Sequence, residues 1–304
     1  MVTDTFPALQ ALAYNPDMNP TRQPKPAAPR WLIAVDIGNH GIKLERRPCD
    51  HRAAAGPGRH LTIPSAAPPL DSLANWLPGE PLDWTVATVQ RDAERLLDRW
   101  VREHRPQDAY CRLTQPMVPI RVDVDQPSRV GIDRLLAALA ATQQEPGECY
   151  RIVVDAGSAV TVDRVSPDGV FEGGAILPGW GMMAAMLARQ TDLLPETEPV
   201  FRACVPSVVG RSTEAAIRSG VYWGMVGAVT ELVRRMTVET TEAGPILVTG
   251  GDGGPLAEHL GGGRSVRHVP NLVIDGIVAT YHHRRQLRGV SIGPQGGMGK
   301  NEGT

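Results

Sequence analysis

The sequence predicts an α/β protein built from two similar halves. Three observations carry that expectation. Short apolar runs of strand length alternate with segments of helical periodicity. An acidic, glycine-containing turn follows an apolar run twice, its aspartates at Asp36 and Asp155, 119 positions apart. A polar break over 143–148 separates the two stretches that contain them.

The elements follow in order. Residues 1–30, rich in proline and alanine, read as an extended, poorly ordered arm. The run 31–35 and the run 85–89 read as strands. Between 92 and 103, Leu96, Leu97, Trp100 and Val101 fall at helical spacing. Ile132, Leu135, Leu136 and Leu139 share one face of a helix that opens at Gly131. The run 150–154 begins the second half as a strand. From Thr213 to about Met236, the residues Ile217, Val221, Met225, Val229 and Leu232 keep a long helix in register. A late strand at 246–249 leads into Gly250 and Gly251, with a helix from Pro255. Residues 289–304 read as a disordered tail. The expected organisation is an arm at 1–30, a first domain at 31–146, a second at 147–288 and a tail at 289–304.

Composition narrows the function. The 304 residues are 42% hydrophobic and 21% charged, a globular balance long enough to bury real cores. With 31 basic and 33 acidic side chains the net charge is -2, and aromatics are only 5%. Neither a basic footprint nor a base-stacking surface is present, so no nucleic acid partner is expected. Cys49, Cys111, Cys149 and Cys204 lie far apart, without C-x-x-C or Cys–His ligand spacing. They read as free thiols in a reducing cytoplasm. No apolar run reaches the ~18 residues of a membrane span, and no secretory signal is read at the start.

The repeated turn carries the chemistry. The first copy is Asp36-Ile37-Gly38-Asn39-His40-Gly41-Ile42-Lys43, and the second runs from Asp155 through Gly157 and Ser158 into another apolar run. Glycine at a strand-to-strand turn lets backbone N–H groups approach an anion closely. A carboxylate at the strand end would repel phosphate unless a cation, Mg²⁺ or a monovalent ion, lay between them. Two such hairpins facing one another would clamp a polyphosphate. An ordinary hairpin turn explains either copy alone; the matched pair favours the clamp. The glycines between Val248 and Gly254 would let an adenine ring lie on backbone, and the spacing of a P-loop is absent.

These elements resemble the acetate and sugar kinase, Hsp70 and actin superfamily, and within it the type III pantothenate kinases. The resemblance covers about 31–285. It rests on the motif at 36–43, on Gly131-Ile132-Asp133-Arg134, and on the segments 153–163, 173–179, 191–195 and 210–220. It implies duplicated ribonuclease H-like (actin-like ATPase) domains with a central cleft. It also implies ATP-dependent phosphorylation of pantothenate to 4′-phosphopantothenate, the first step towards coenzyme A, in a cytoplasmic homodimer. Residues 36–43 and Ser158 would meet ATP, with Mg²⁺ on the phosphates. Asp155 would hold a monovalent cation, K⁺ or NH₄⁺. Gly131, Ile132, Asp133 and Arg134 would contact pantothenate, with Asp133 as proton acceptor and Thr213 reaching the substrate from the partner subunit.

Each residue has a plainer reading too. Asp133 suits a helix N-terminus electrostatically. Arg134 serves equally as partner of the substrate carboxylate or of a protein carboxylate. Thr213 reads as an N-cap, and Lys43 as an exposed strand residue. Met182, Met183, Met186 and Leu187 form a stripe for core or interface. His282 and His283 lack carboxylate partners in sequence and receive no metal role. His40 and Val124 depart from the family pattern, where threonine and tyrosine are usual; Ser158 keeps the hydroxyl of a usual threonine. These departures keep open two alternatives, a catalytically silent ligand-binding regulator and another small-molecule kinase of the same fold.

Overall fold

A computed structural model describes residues 31–49, 58–145, 147, 149–198, 204–238, 243–260 and 263–290. The arm expected at 1–30 and positions 291–304 of the expected tail lie outside the described residues; 289 and 290 end the last helix.

The chain runs through β1 (Trp31–Ile37), β2 (Gly41–Pro48), β3 (Arg59–Pro64), α1 (Leu73–Trp76), β4 (Leu82–Thr88), α2 (Arg91–His104) and β5 (Ala109–Arg112). It continues with β6 (Arg121–Val122), α3 (Ile132–Gln144), β7 (Tyr150–Ala156), β8 (Ala159–Val165), β9 (Val170–Pro178), α4 (Trp180–Gln190) and α5 (Thr213–Thr237). It ends with β10 (Ala243–Thr249), α6 (Gly253–Ala257), β11 (Val266–His268) and α7 (Leu272–Val290).

The first sheet has the order β3-β2-β1-β4-β5. Its first three strands form an antiparallel meander, and β4 and β5 run parallel to β1. The second sheet repeats the plan as β9-β8-β7-β10-β11, again an antiparallel meander followed by two parallel strands. The short β6 is added outside β9. This is the duplicated ribonuclease H-like arrangement. The strands at its centre, β1 and β7, are apolar almost throughout because helices cover both faces.

Three clusters fill the layers. Ile33, Val35, Leu97 and Trp100 belong to the one beneath α2. Val154, Val162, Val221 and Val229 belong to the one beneath α5. Between the sheets, Leu135, Leu136 and Leu139 of α3 pack with Leu272, Ile274 and Ile277 of α7, against Ala34 and Ala87 of one sheet and Val153 and Leu247 of the other. The helices cross so closely that a Cβ at Gly276 would stand 2.1 Å from the carbonyl oxygen of Leu136. This crossing therefore requires glycine on α7. The middle layer fixes where α3 begins, and α3 carries Asp133. Among the described residues no helix is long and apolar enough to cross a membrane.

Candidate active site

Each meander turns where its central strand ends. In the first, Gly38 N–H donates to Gly41 O at 2.9 Å. Ser65 braces the turn twice, its N–H donating to His40 O at 3.3 Å and its hydroxyl to Gly38 O at 2.7 Å. In the second, Gly157 N–H donates to Ala159 O and Gly179 N–H to Ser158 O, both at 3.0 Å. A Cβ at Gly179 would stand 2.2 Å from Gly157 O, so only glycine lets the chain pass there. A third loop joins them after β10. Gly250 adopts φ +89°, and Asp252 N–H donates to Ala156 O at 3.0 Å.

The three loops and the start of α3 enclose one cavity of about 400 Å³. Of the first motif, Asp36, Gly38, Asn39, His40, Gly41 and Lys43 line it. Asp133, Asp155 and Ser158 line it too. His40 Nδ1 and Ser158 Oγ meet across it, joining one turn to the other. Ile37 and Ile42 point the other way and are wholly buried in the core, as strand alternation requires.

The electrostatics favour cations. Lys43 Nζ lies 3.8 Å from Asp36 Oδ2. Burial pushes the Asp36 carboxyl up to about 6; Lys43 opposes the rise and Asp133 adds to it. Burial likewise raises Asp155 to about 7, again against Lys43 and assisted by Asp36, Asp133 and Asp163. Asp133 is raised chiefly by burial, opposed by a 2.9 Å hydrogen bond from Arg134 N–H to its Oδ1. Asp36, Asp133 and Asp155, partly desolvated, thus share the cavity with the Lys43 ammonium group, and Asp252 lines it as well. Their oxygens are the donors that Mg²⁺ and K⁺ prefer. Among the described residues no three His, Cys, Asp or Glu side chains gather closely enough to hold a metal by themselves. The carboxylates therefore fit a cation that takes its remaining ligands from phosphate oxygens and water, the usual habit of Mg²⁺.

The other expected site residues lie around this cavity or away from it. Gly131 leaves room for the acid, since a Cβ there would stand 2.5 Å from Asp133 Oδ1. Ile132 is buried in the middle layer. Arg134 Nε donates to both oxygens of Asp163, at 3.0 and 3.1 Å, and its Nη2 adds a further bond. Asp163 is 1% exposed, so the guanidinium is committed to a buried carboxylate. Thr213 lies elsewhere, in an apolar groove with Met183, Met186, Leu187 and Ile217. It does not cap its helix: Ser212 does, its hydroxyl accepting from Ala215 N–H at 3.2 Å. Val124 packs against the middle layer. Met182 and Met186 of the methionine stripe are half exposed, while Met183 and Leu187 pack inward.

Thr161 also lines the cavity and was not singled out from sequence. Its signal was available: Ala159 and Thr161 alternate along β8 as Gly41 and Lys43 do along β2.

Two half-repeats with acidic turns meeting over one cleft define a member of the acetate and sugar kinase, Hsp70 and actin superfamily. Within it, the model of the type III pantothenate kinase family matches residues 32–235, and this chain belongs to that family. It is 43% identical over 173 residues to a type III pantothenate kinase of Rhodopirellula baltica, covering 56% of this chain and 61% of that one. A relative of the same name from Dehalococcoides mccartyi is 39% identical over 163 residues, 53% of this chain and 60% of the relative. These matches span about three fifths of each relative's length. A third, from Sphingopyxis alaskensis, is 34% identical over 268 residues, 84% of this chain and 99% of the relative. Among solved structures, that of the apo pSK41 ParM protein aligns with 86% of this chain and 99% of its own, at 12% identity and a TM-score of 0.46.

Proposed function

We propose that the protein transfers the γ-phosphoryl group of ATP to the primary hydroxyl of pantothenate, giving 4′-phosphopantothenate and ADP for coenzyme A synthesis. The observation that carries this reading is the convergence of Asp36, Asp133 and Asp155 on one cavity walled by glycine turns. The nucleotide phosphates would lie along Asp36, Gly38, Asn39, His40, Gly41 and Lys43, with Ser158 opposite. Mg²⁺ on the phosphates and K⁺ or NH₄⁺ at Asp155 would supply charge neutralisation. Asp133 would orient the hydroxyl and accept its proton as the oxygen attacks phosphorus and ADP departs. Phosphoryl transfer depends mainly on positioning and charge, so a carboxylate suffices as the base.

Gly131, Ile132 and Arg134 would form the substrate wall, Arg134 acting chiefly by fixing Asp163 and the first turn of α3. We read 31–146 and 147–288 as the units flanking the cleft, supported by their equal strand order. The apolar groove around Thr213, about 710 Å³, supports a homodimer that covers it and brings Thr213 to a neighbouring site. A cytoplasmic location accords with the substrates.

A coupled assay of ADP release with pantothenate, run with and without potassium, tests the reading. Pantothenate-dependent release stimulated by potassium is expected. Folded protein that turns over under neither condition overturns it.

A further inference from the structure

We propose that a second cavity, between α7 and the edge of the first sheet, binds a phosphate group through Arg284 and Arg285. This cavity also measures about 400 Å³. Its walls include Asp83 and Thr85 of β4, Cys111 of β5, and Tyr281, Arg284 and Arg285 of α7. Among the described residues it shares no lining residue with the carboxylate cavity, and the proposal does not rest on the kinase reading.

Arg284 is half-buried, and its partner among the described residues is the thiol of Cys111, with Nη1 2.8 Å from Sγ. Sulfur is a weak acceptor, and a guanidinium carries five N–H groups in a fixed fork. Comparable arginines in this chain find carboxylates: Arg105 meets Asp108, Arg134 meets Asp163 and Arg164 meets Glu172. Arg285 donates to Cys49 O and to the Tyr281 hydroxyl, both at 3.2 Å. The carboxylate in this wall, Asp83, accepts the Tyr281 hydroxyl at 2.6 Å. Two guanidinium groups therefore face one carboxylate already engaged by a phenol, and the cavity carries a surplus of positive charge and of N–H donors. A single fork satisfies a carboxylate. Two forks on consecutive residues, with one nearly unengaged, suit the three oxygens and greater charge of a phosphate.

Cys111 supplies a local probe. The intact protein is alkylated with iodoacetamide, and each cysteine is followed by peptide mass mapping during titration with orthophosphate, glycerol phosphate or chloride at matched ionic strength. Exposed Cys204 is the internal control. A phosphate bound over Cys111 slows its alkylation along a saturation curve, to about one tenth at ten times the dissociation constant. Cys204 stays unchanged and chloride has no effect. Protection by orthophosphate alone assigns the site to the free ion; equal or stronger protection by the ester assigns it to a phosphorylated metabolite. R284Q and R285Q, each compared with its own phosphate-free rate, are expected to weaken the protection; if R284Q does not fold, R285Q carries the test. No protection by either phosphate, equal slowing at Cys204, or undiminished protection in the variants that fold overturns the proposal.

Discussion

In the first acidic hairpin the residue paired across from Asp36 is Lys43; in the second, the residue paired across from Asp155 is Thr161. The two hairpins share strand order and the aspartate at the strand end, but the first turn is one residue longer, and one hairpin carries its own counter-charge where the other has a neutral hydroxyl. Burial is the largest cause of the rise in both carboxyls, to about 6 for Asp36 and about 7 for Asp155, and Lys43 opposes it in both. The residue across the strand pair sets the two aspartates in different charge environments. The half with lysine is equipped to meet phosphate directly. The half without it has a carboxylate that gains most from a diffusible cation.

The largest expected effect separates both hairpins from the chemistry. Asp133→Asn should lower kcat by about 10²–10⁴-fold, the usual worth of a positioned base, while nucleotide affinity stays near the parent value. Near-parental kcat would remove Asp133 from that role.

A direct contrast of the two halves comes next. Asp155→Asn should lose about 10–100-fold in kcat/KM and its stimulation by potassium together, a scale typical of disturbed ion sites. Asp36→Asn should weaken nucleotide binding but keep the potassium response. Identical potassium profiles for both variants would erase the functional asymmetry.

The acidities also make a stability prediction. Folding raises both carboxyls above the ordinary value of 3.8, so the folded state holds more protons between about pH 4 and about pH 7. Stability is then full below the unfolded value and falls as pH rises through the folded ones. The melting temperature of ligand-free protein should drop from pH 5 towards pH 8, with Asp155→Asn flattening the upper part of the curve and Asp36→Asn the lower. A melting curve independent of pH in the parent protein would contradict this.

Smaller effects probe the joints between the halves. At Gly250, a Cβ would stand 2.4 Å from Asp155 Oδ1 and force a left-handed backbone on alanine. The same Cβ would stand 2.2 Å from Ala156 O, a backbone clash added to the ~1–2 kcal/mol of left-handed strain, so Gly250→Ala should cost more than about 2 kcal/mol in chemical denaturation and raise the KM for nucleotide. His40→Thr removes the contact with Ser158 across the mouth of the cleft; the contact is solvent-exposed, so its stability change should stay within about 0.5 kcal/mol.

Much of this plan is legible in sequence because it is local. The apolar runs before Asp36 and Asp155, the helix opening at Gly131 and the long helix from Thr213 are all fixed by neighbours a few positions away. The convergence of Asp36, Asp133 and Asp155 could be anticipated from the repeat and the family motifs. What sequence left open depends on distant partners. Arg134 had two plausible counter-ions, and its choice of Asp163, 29 positions on, emerges only when α3 lies across β8. Ser212 and Thr213 are both good caps, and the backbone angle decides between them. The two-residue β6 is too short to carry a periodic signal and exists because β9 offers it an edge.

The close crossing at Gly276 bears on how the molecule is made. Leu272, Ile274 and Ile277 lie far along the chain from Ala34 and Ala87, yet they complete one layer with them. A nascent chain that has released only its leading half must wait with the inner flank of α3 uncovered. Contacts between such remote stretches slow folding and lengthen exposure to aggregation. Closure of this layer should therefore be paced by the arrival of α7.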